Sequence, residues 1–141
     1  MKLSTRTRYG IRAVLALAES YGKEPVQLKH IAAQQQISVK YLEQLMTMLK
    51  SAGIVSSVRG SKGGYILARP PNKITLSDCF NSLEGAVITV ECVKNGNYCS
   101  RADNCAAREV WAEIDTAVRT ILQSTTLKDV VSRTRHIHYQ I

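Results

Sequence analysis

The most constraining stretch of this 141-residue chain lies between residues 27 and 67, where two short helical patterns run directly into a hairpin pattern. Leu28, Ile31 and Ala32 mark the inner face of a helix over about 27–35. After the turn Gln35-Gln36-Ile37-Ser38, Leu42, Leu45, Met46 and Leu49 recur at helical spacing, with Ser38 as cap and Gly53 as stop. Two short helices joined by so brief a turn read as a helix-turn-helix. The β-prone runs Ile54-Val55-Ser56-Ser57-Val58 and Tyr65-Ile66-Leu67 then flank Arg59-Gly60-Ser61-Lys62-Gly63-Gly64, a glycine-rich basic turn. A hairpin directly after a helix-turn-helix is a wing.

The rest of the chain supports that unit. A first helix starts after Ser4, presents Ile11, Val14, Leu15 and Ala18 on one face, and ends by Gly22. Pro70-Pro71 marks a boundary. Thr75-x-x-Asp78 resembles a capping box and opens a helix with Leu76, Cys79, Phe80 and Leu83 inward and Gly85 as its stop. Residues 91–104 read as a polar loop, followed by a long helix over about 104–123 and a final short helix after Thr126-x-x-Asp129. In the long helix Ala107, Trp111, Ile114, Val118 and Ile121 fall at alternating steps of four and three, a seam suited to another helix. That seam serves either a second copy of the chain or the chain's own domain; the first is expected, because one small basic unit needs a two-fold partner to grip DNA firmly. The expected fold is mostly α with a small β-hairpin wing. It comprises a winged helix-turn-helix DNA-binding domain over 1–70 and a cysteine loop with a dimerisation region over 71–141.

Charge locates the expected partner. Residues 1–70 hold eleven Lys and Arg against three acids, whereas residues 71–141 hold eight of each, so the whole net charge of +8 lies in the first half. A basic domain beside an electroneutral one points to a polyanion. On the second helix of the helix-turn-helix, Ser38, Lys40, Tyr41, Glu43 and Gln44 lie early and off the core face. Gln44 can pair with adenine, Glu43 can accept from a cytosine amino group, and Lys40 suits a phosphate. Glu43 beside phosphates is otherwise unfavourable, which suggests that it selects among sites. On the wing, Arg59, Gly60 and Lys62 suit a narrow minor groove. Lys2, Arg6 and Arg8 flank the start of the first helix, where backbone N–H groups also favour phosphate, and Lys2, Ser4 and Arg6 are expected to contact DNA there.

The four cysteines divide. Cys79 lies on an apolar helical face and reads as core. Cys92, Cys99 and Cys105 follow a C-x6-C-x5-C spacing in a polar, glycine-bearing stretch, where packing does not explain them. Their chemistry admits an iron–sulfur cluster, a zinc site short of the usual C-x2-C pairs, or a thiol switch. Cys105 opens the long helix, whose N-terminus favours thiolate.

These residues resemble the IscR/NsrR/CymR family of winged-helix regulators, most closely its IscR type. The resemblance spans nearly the whole chain and rests on residues 1–10 (MKLSTRTRYG), on Tyr41-Leu42-Glu43-Gln44-Leu45, on residues 53–60 (GIVSSVRG), on Gly63-Gly64-Tyr65, on the three cysteines and on Thr125-Thr126-Leu127. It implies a homodimeric transcription regulator, acting as a repressor on palindromic promoter sites in double-stranded DNA, often those of iron–sulfur cluster assembly genes. It also implies a labile cluster held by Cys92, Cys99 and Cys105, of the 2Fe-2S rather than the 4Fe-4S kind, and a part for Glu43 in site discrimination. Two positions depart from the family. The IscR type has a ligand histidine three residues after the last cysteine, where this chain has Arg108. The NsrR type has an aspartate just before the first-helix tyrosine, where this chain has Arg8. Glu109, His136, His138 or an outside group are left as candidate fourth ligands, while His30 reads as structural or solvated. The alternative within the family is a cluster-free, CymR-like regulator of cysteine or sulfur metabolism, controlled by a protein partner or by thiol oxidation.

Other classes find less support. There is no nucleophile–base pairing, phosphate-binding glycine loop or suggestive carboxylate pair, so no enzyme is expected. No run approaches the length of a membrane span, and Arg6, Arg8 and Arg12 interrupt any signal-peptide core, so a cytoplasmic protein is expected.

Overall fold

The computed structural model describes the backbone of residues 2–85 and 90–139, with side chains through Arg133. Helix α1 (Thr5–Glu19) begins at Ser4, whose backbone is extended and whose side-chain oxygen accepts the Thr7 N–H. The chain turns at Gly22 (φ 82°) and reaches α2 (Leu28–Gln35) and α3 (Val39–Ser51). Between these two helices Gln36 adopts the left-handed conformation (φ 56°), a place glycine usually takes at helix ends. Ser38 caps α3 by accepting the Tyr41 N–H at 3.0 Å.

The wing is an antiparallel pair, β1 (Val55–Val58) and β2 (Gly64–Leu67), with Val55 opposite Leu67 and Val58 opposite Gly64. A bridge from the segment before α2 adds to it: the Val26 N–H donates to Tyr65 O at 3.0 Å and the Tyr65 N–H donates to Val26 O at 2.8 Å. That close approach explains Gly64, where a Cβ would collide with the Val26 backbone. Gly60 at φ 114° turns the tip.

After a 3-10 turn (Pro71–Lys73) comes α4 (Leu76–Leu83), opened by a full capping box. Asp78 Oδ2 accepts the Thr75 N–H at 2.9 Å and Thr75 Oγ1 accepts the Asp78 N–H at 3.1 Å. The stretch expected as plain loop contains a one-turn helix, α5 (Glu91–Lys94), and a 3-10 turn (Ala102–Asn104). Then follow α6 (Ala106–Ser124) and α7 (Leu127–Tyr139). The last helix, expected to be short, has 13 residues. Its own capping pair, Thr126 with Asp129, meets that of α4 across an antiparallel bridge between Thr75 and Thr126. The Leu76 N–H donates to Thr125 O and the Leu127 N–H to Ile74 O, both at 2.9 Å.

This docking makes one continuous core. Val14 and Leu17 of α1, Ile31 of α2 and Leu42, Leu45, Met46 and Leu49 of α3 pack with Ile54 and Leu67 of the wing region. The same core takes in Ile74, Cys79, Leu83 and Leu127 from beyond Pro70-Pro71. Gly10 lets α1 lie close to α4, since a Cβ there would meet Leu83.

The long helix α6 is the exception to inward packing. It contacts α4, yet its buried residues are Asp115, bound to Arg119 at 2.7 Å, and Leu122. The apolar seam read from the sequence borders that inward face: Val118 is half-buried, and the other seam residues turn to solvent. Within one chain Trp111 is 40% exposed, Ile114 45% and Ile121 61%, with Val110 beside them at 49%.

Candidate nucleic-acid interface

Helix α3 buries Leu42, Leu45, Met46 and Leu49 and turns Lys40, Glu43 and Gln44 to solvent. A polar, exposed early face over a fixed apolar back is what groove reading requires. Ser38 is also exposed, but its oxygen is engaged as the α3 cap. Tyr41 is half-buried. Its ring meets Tyr9 of α1 edge-on at 6.3 Å, and the Arg12 guanidinium sits 5.8 Å from the Tyr9 ring centre. Tyr41 therefore ties the first turn of α3 to α1, leaving α3 little freedom to rotate.

The wing is tied to the same helix. Lys50 Nζ, in the last turn of α3, donates to Ser57 Oγ of β1 at 2.9 Å. Arg59, Gly60 and Lys62 are exposed at the tip. At the other end Lys2 and Arg6 are exposed around the α1 cap, while Ser4 is half-buried and committed to that cap. Among the described residues the ion pairs are Arg69–Asp78 and Arg119–Asp115. Lys2, Arg6, Lys40, Arg59 and Lys62 take part in neither pair, although Arg6 lies near enough to attract the Glu84 carboxylate, and their charge faces solvent where phosphate could meet it.

Two residues at this surface carried no local sequence signal. Thr7 is 1% exposed and donates to Glu84 Oε1 at 2.6 Å; Glu84 also accepts the Ser4 N–H at 3.0 Å. The pairs span 77 and 80 residues of chain, beyond the reach of any periodicity.

The three candidate metal ligands lie along the connection into α6. Cys92 is half-buried in α5, Cys99 is exposed, and Cys105 is half-buried as the N-cap of α6. Three accessible thiols suit an iron–sulfur cluster by donor type. Among the described residues, however, no three His, Cys, Asp or Glu side chains gather as a metal-holding group. Arg108, at the position of the IscR-type histidine, donates from Nε to Cys92 O at 2.9 Å. Glu109 shares with Cys105 and Arg108 the lining of a cleft of about 510 Å³. His136 and His138 lie outside the residues whose side chains are described. His30 is exposed on α2.

Cys79 differs from the other three. It is fully buried, and burial, with Asp78 nearby adding to it, pushes its thiol up to about 12. In native, reduced, metal-free protein, a disulfide reagent is expected to titrate three thiols quickly and the fourth only after denaturation. Four equally fast thiols would contradict the buried placement.

An exposed polar face on the second helix, a basic wing tip bonded to that helix and a basic helix cap define a winged helix-turn-helix protein of the DNA-binding class. The chain belongs to the Rrf2 family, described as iron-dependent transcriptional regulators, whose profile matches residues 3–133. The HTH-type transcriptional regulator CymR of Bacillus subtilis is 42% identical over 134 residues, covering 95% of this chain and 92% of that protein. IscR of Cereibacter sphaeroides is 40% identical over 136 residues, covering 93% and 87%. The solved structure of B. subtilis CymR, described as the global cysteine regulator, superimposes with a TM-score of 0.83 at 41% identity, over 94% of this chain and 98% of that one. The IscR structure from T. potens gives 0.76 at 37% identity, over 95% and 88%. CymR of B. subtilis thus stands somewhat above the IscR proteins, which are 34–40% identical, in both sequence and superposition. No helix among the described residues is long and apolar enough to cross a membrane.

Proposed function

We propose that the protein is a homodimeric, cytoplasmic repressor that grips palindromic double-stranded DNA and adjusts that grip through Cys92, Cys99 and Cys105. Helix α3 would enter the major groove with Gln44 and Glu43 toward base edges and Lys40 toward phosphate. Arg59, Gly60 and Lys62 would reach the minor groove, and Lys2 and Arg6 the backbone. The observation that carries this proposal is that one helix serves two ends: α6 has Cys105 at its N-cap position, without a side-chain capping bond, and bears the exposed seam from Val110 to Ile121. If a second copy covers that seam, α6 sets the separation of the two reading helices. A change at its cap then alters which sites both halves can reach together.

Cys92, Cys99 and Cys105 would hold an iron–sulfur cluster, of the 2Fe-2S kind, and the family description as iron-dependent supports iron. When bound, such a cluster supplies a labile, oxidant-sensitive centre that answers to iron supply, which suits control of cluster-assembly genes. Around it, Arg108 holds α5 against α6 through the Cys92 carbonyl. The same contact favours a second reading, in which Arg108 replaces a ligand and the thiols act without metal in regulating cysteine or sulfur metabolism. Anaerobic purification with an absorption spectrum and iron and sulfide analysis tests the choice. Colourless protein without iron after reconstitution would leave the thiol-controlled reading.

Site discrimination is testable separately. Glu43→Ala is expected to relax preference at one cytosine-bearing position by about 1–3 kcal/mol while leaving other positions unchanged. Binding measured across a panel of base-substituted duplexes reads this directly. Equal changes at every site would reduce Glu43 to a surface charge.

A further inference from the structure

Glu84 occupies the C-cap of α4, and its carboxylate turns back to the opposite end of the molecule's first helix. Its Oε1 accepts both the Ser4 N–H at 3.0 Å and the Thr7 hydroxyl at 2.6 Å. Ser4 Oγ in turn accepts the Thr7 N–H at 3.1 Å and donates to Thr7 Oγ1 at 3.3 Å. The three residues close a small hydrogen-bonded ring around the cap of α1. A carboxylate there also complements the positive end of the helix dipole. Hydrogen bonding from Ser4 and Thr7, with Arg6 adding attraction, holds this carboxyl below the ordinary glutamate range, so it stays ionised at neutral pH.

The position of this ring in the chain gives it meaning. Lys2 and Arg6, both exposed, lie two residues either side of Ser4. Gly85 (φ 85°) follows Glu84 directly, and the chain leads from there toward the cysteine segment. Without the Glu84 contacts, Ser4 would keep its local cap bonds within α1 but lose its hydrogen-bonded tie to α4, leaving the apolar contact of Leu3 beside Leu76 and Phe80 as what holds the arm to that helix.

We propose that Glu84 is a positioning residue for DNA binding: it fixes the arm that carries Lys2 and the first turn of α1 that carries Arg6 against the phosphate backbone, and ties both to the end of α4. The proposal rests on the DNA-binding reading above and adds a residue that does not itself meet DNA. It makes an unusual prediction of sign. A carboxylate near phosphates acting only through its charge opposes binding, so its removal would tighten binding. A carboxylate acting as an anchor does the reverse, because ordering Lys2 and Arg6 in advance lowers the entropy lost on binding.

The test measures binding of the full chain to a mixed-sequence duplex of about 30 base pairs over a range of salt. Glu84→Ala is expected to weaken binding about 10-fold and to flatten the salt slope by about one to two units, matching loss of one or both basic contacts. Glu84→Gln keeps an accepting oxygen and is expected to stay within about twofold of the unaltered protein. Thr7→Val removes the 2.6 Å bond and is expected to weaken binding in the same direction, non-additively with Glu84→Ala. If Glu84→Ala does not fold, Thr7→Val carries the slope measurement alone. Unchanged or tighter binding with an unchanged slope, in Glu84→Ala or in Thr7→Val, overturns the anchor. Failure of the unaltered protein to bind duplex at low salt overturns the DNA-binding reading and the anchor with it.

Discussion

Replacing Trp111 and Ile121 together by aspartate is expected to yield a folded monomer that binds DNA about 100-fold more weakly than the unaltered chain. The reason is the orientation of α6. Its own-chain contacts use Asp115 and Leu122, while Val110, Trp111, Ile114 and Ile121 are 40–61% exposed. So large an apolar stripe on one helix is a surface that water disfavours and a second helix would cover. Charges placed on it should therefore cost the single chain little and the dimer nearly everything. Loss of the dimer removes the second half-site contact, which is where the affinity drop arises. Sedimentation and binding to a two-fold duplex read the two effects. A double variant that remains dimeric would assign the seam another role.

Leu127→Ala is expected to cost about 3 kcal/mol of stability, a large share of what a domain of this size possesses. Leu127 is fully buried in the core formed by α1, α3 and α4. Its backbone N–H is bonded to Ile74 O, beside the paired capping residues of α4 and α7. The surrounding helices cannot close the resulting void without breaking those backbone bonds, so a cavity should remain. Urea unfolding followed by circular dichroism measures the loss. A cost under about 1 kcal/mol would mean that α7 docks loosely and that the core is complete without it.

Both expectations concern the half of the chain where the sequence was hardest to interpret. The helix-turn-helix and wing were legible because their signals are local: Ser4 and Ser38 as caps, leucines at helical spacing, and a glycine-rich turn between β-prone runs. The Thr75–Asp78 capping box is equally local, and it forms. The segment between α4 and α6 carries no helical pattern, because a single turn such as α5 has too few residues to show a period. The length of α7 is hidden for a related reason. After Val131 its sequence is mostly polar, and what anchors the helix is its first turns, Leu127 seated in a core built elsewhere with Val131 packed against it.

By itself the sequence determined the elements, the concentration of positive charge in residues 1–70 and the residue types offered to a nucleic acid, since backbone preference and side-chain chemistry act within a few residues. Only the tertiary structure decided which face of α6 turns inward, that Leu127 completes the N-terminal core, and that Glu84 holds the cap of α1. Those outcomes depend on groups tens of residues apart meeting at hydrogen-bond or van der Waals distance. Such meetings follow from how whole helices pack, and no local pattern encodes them.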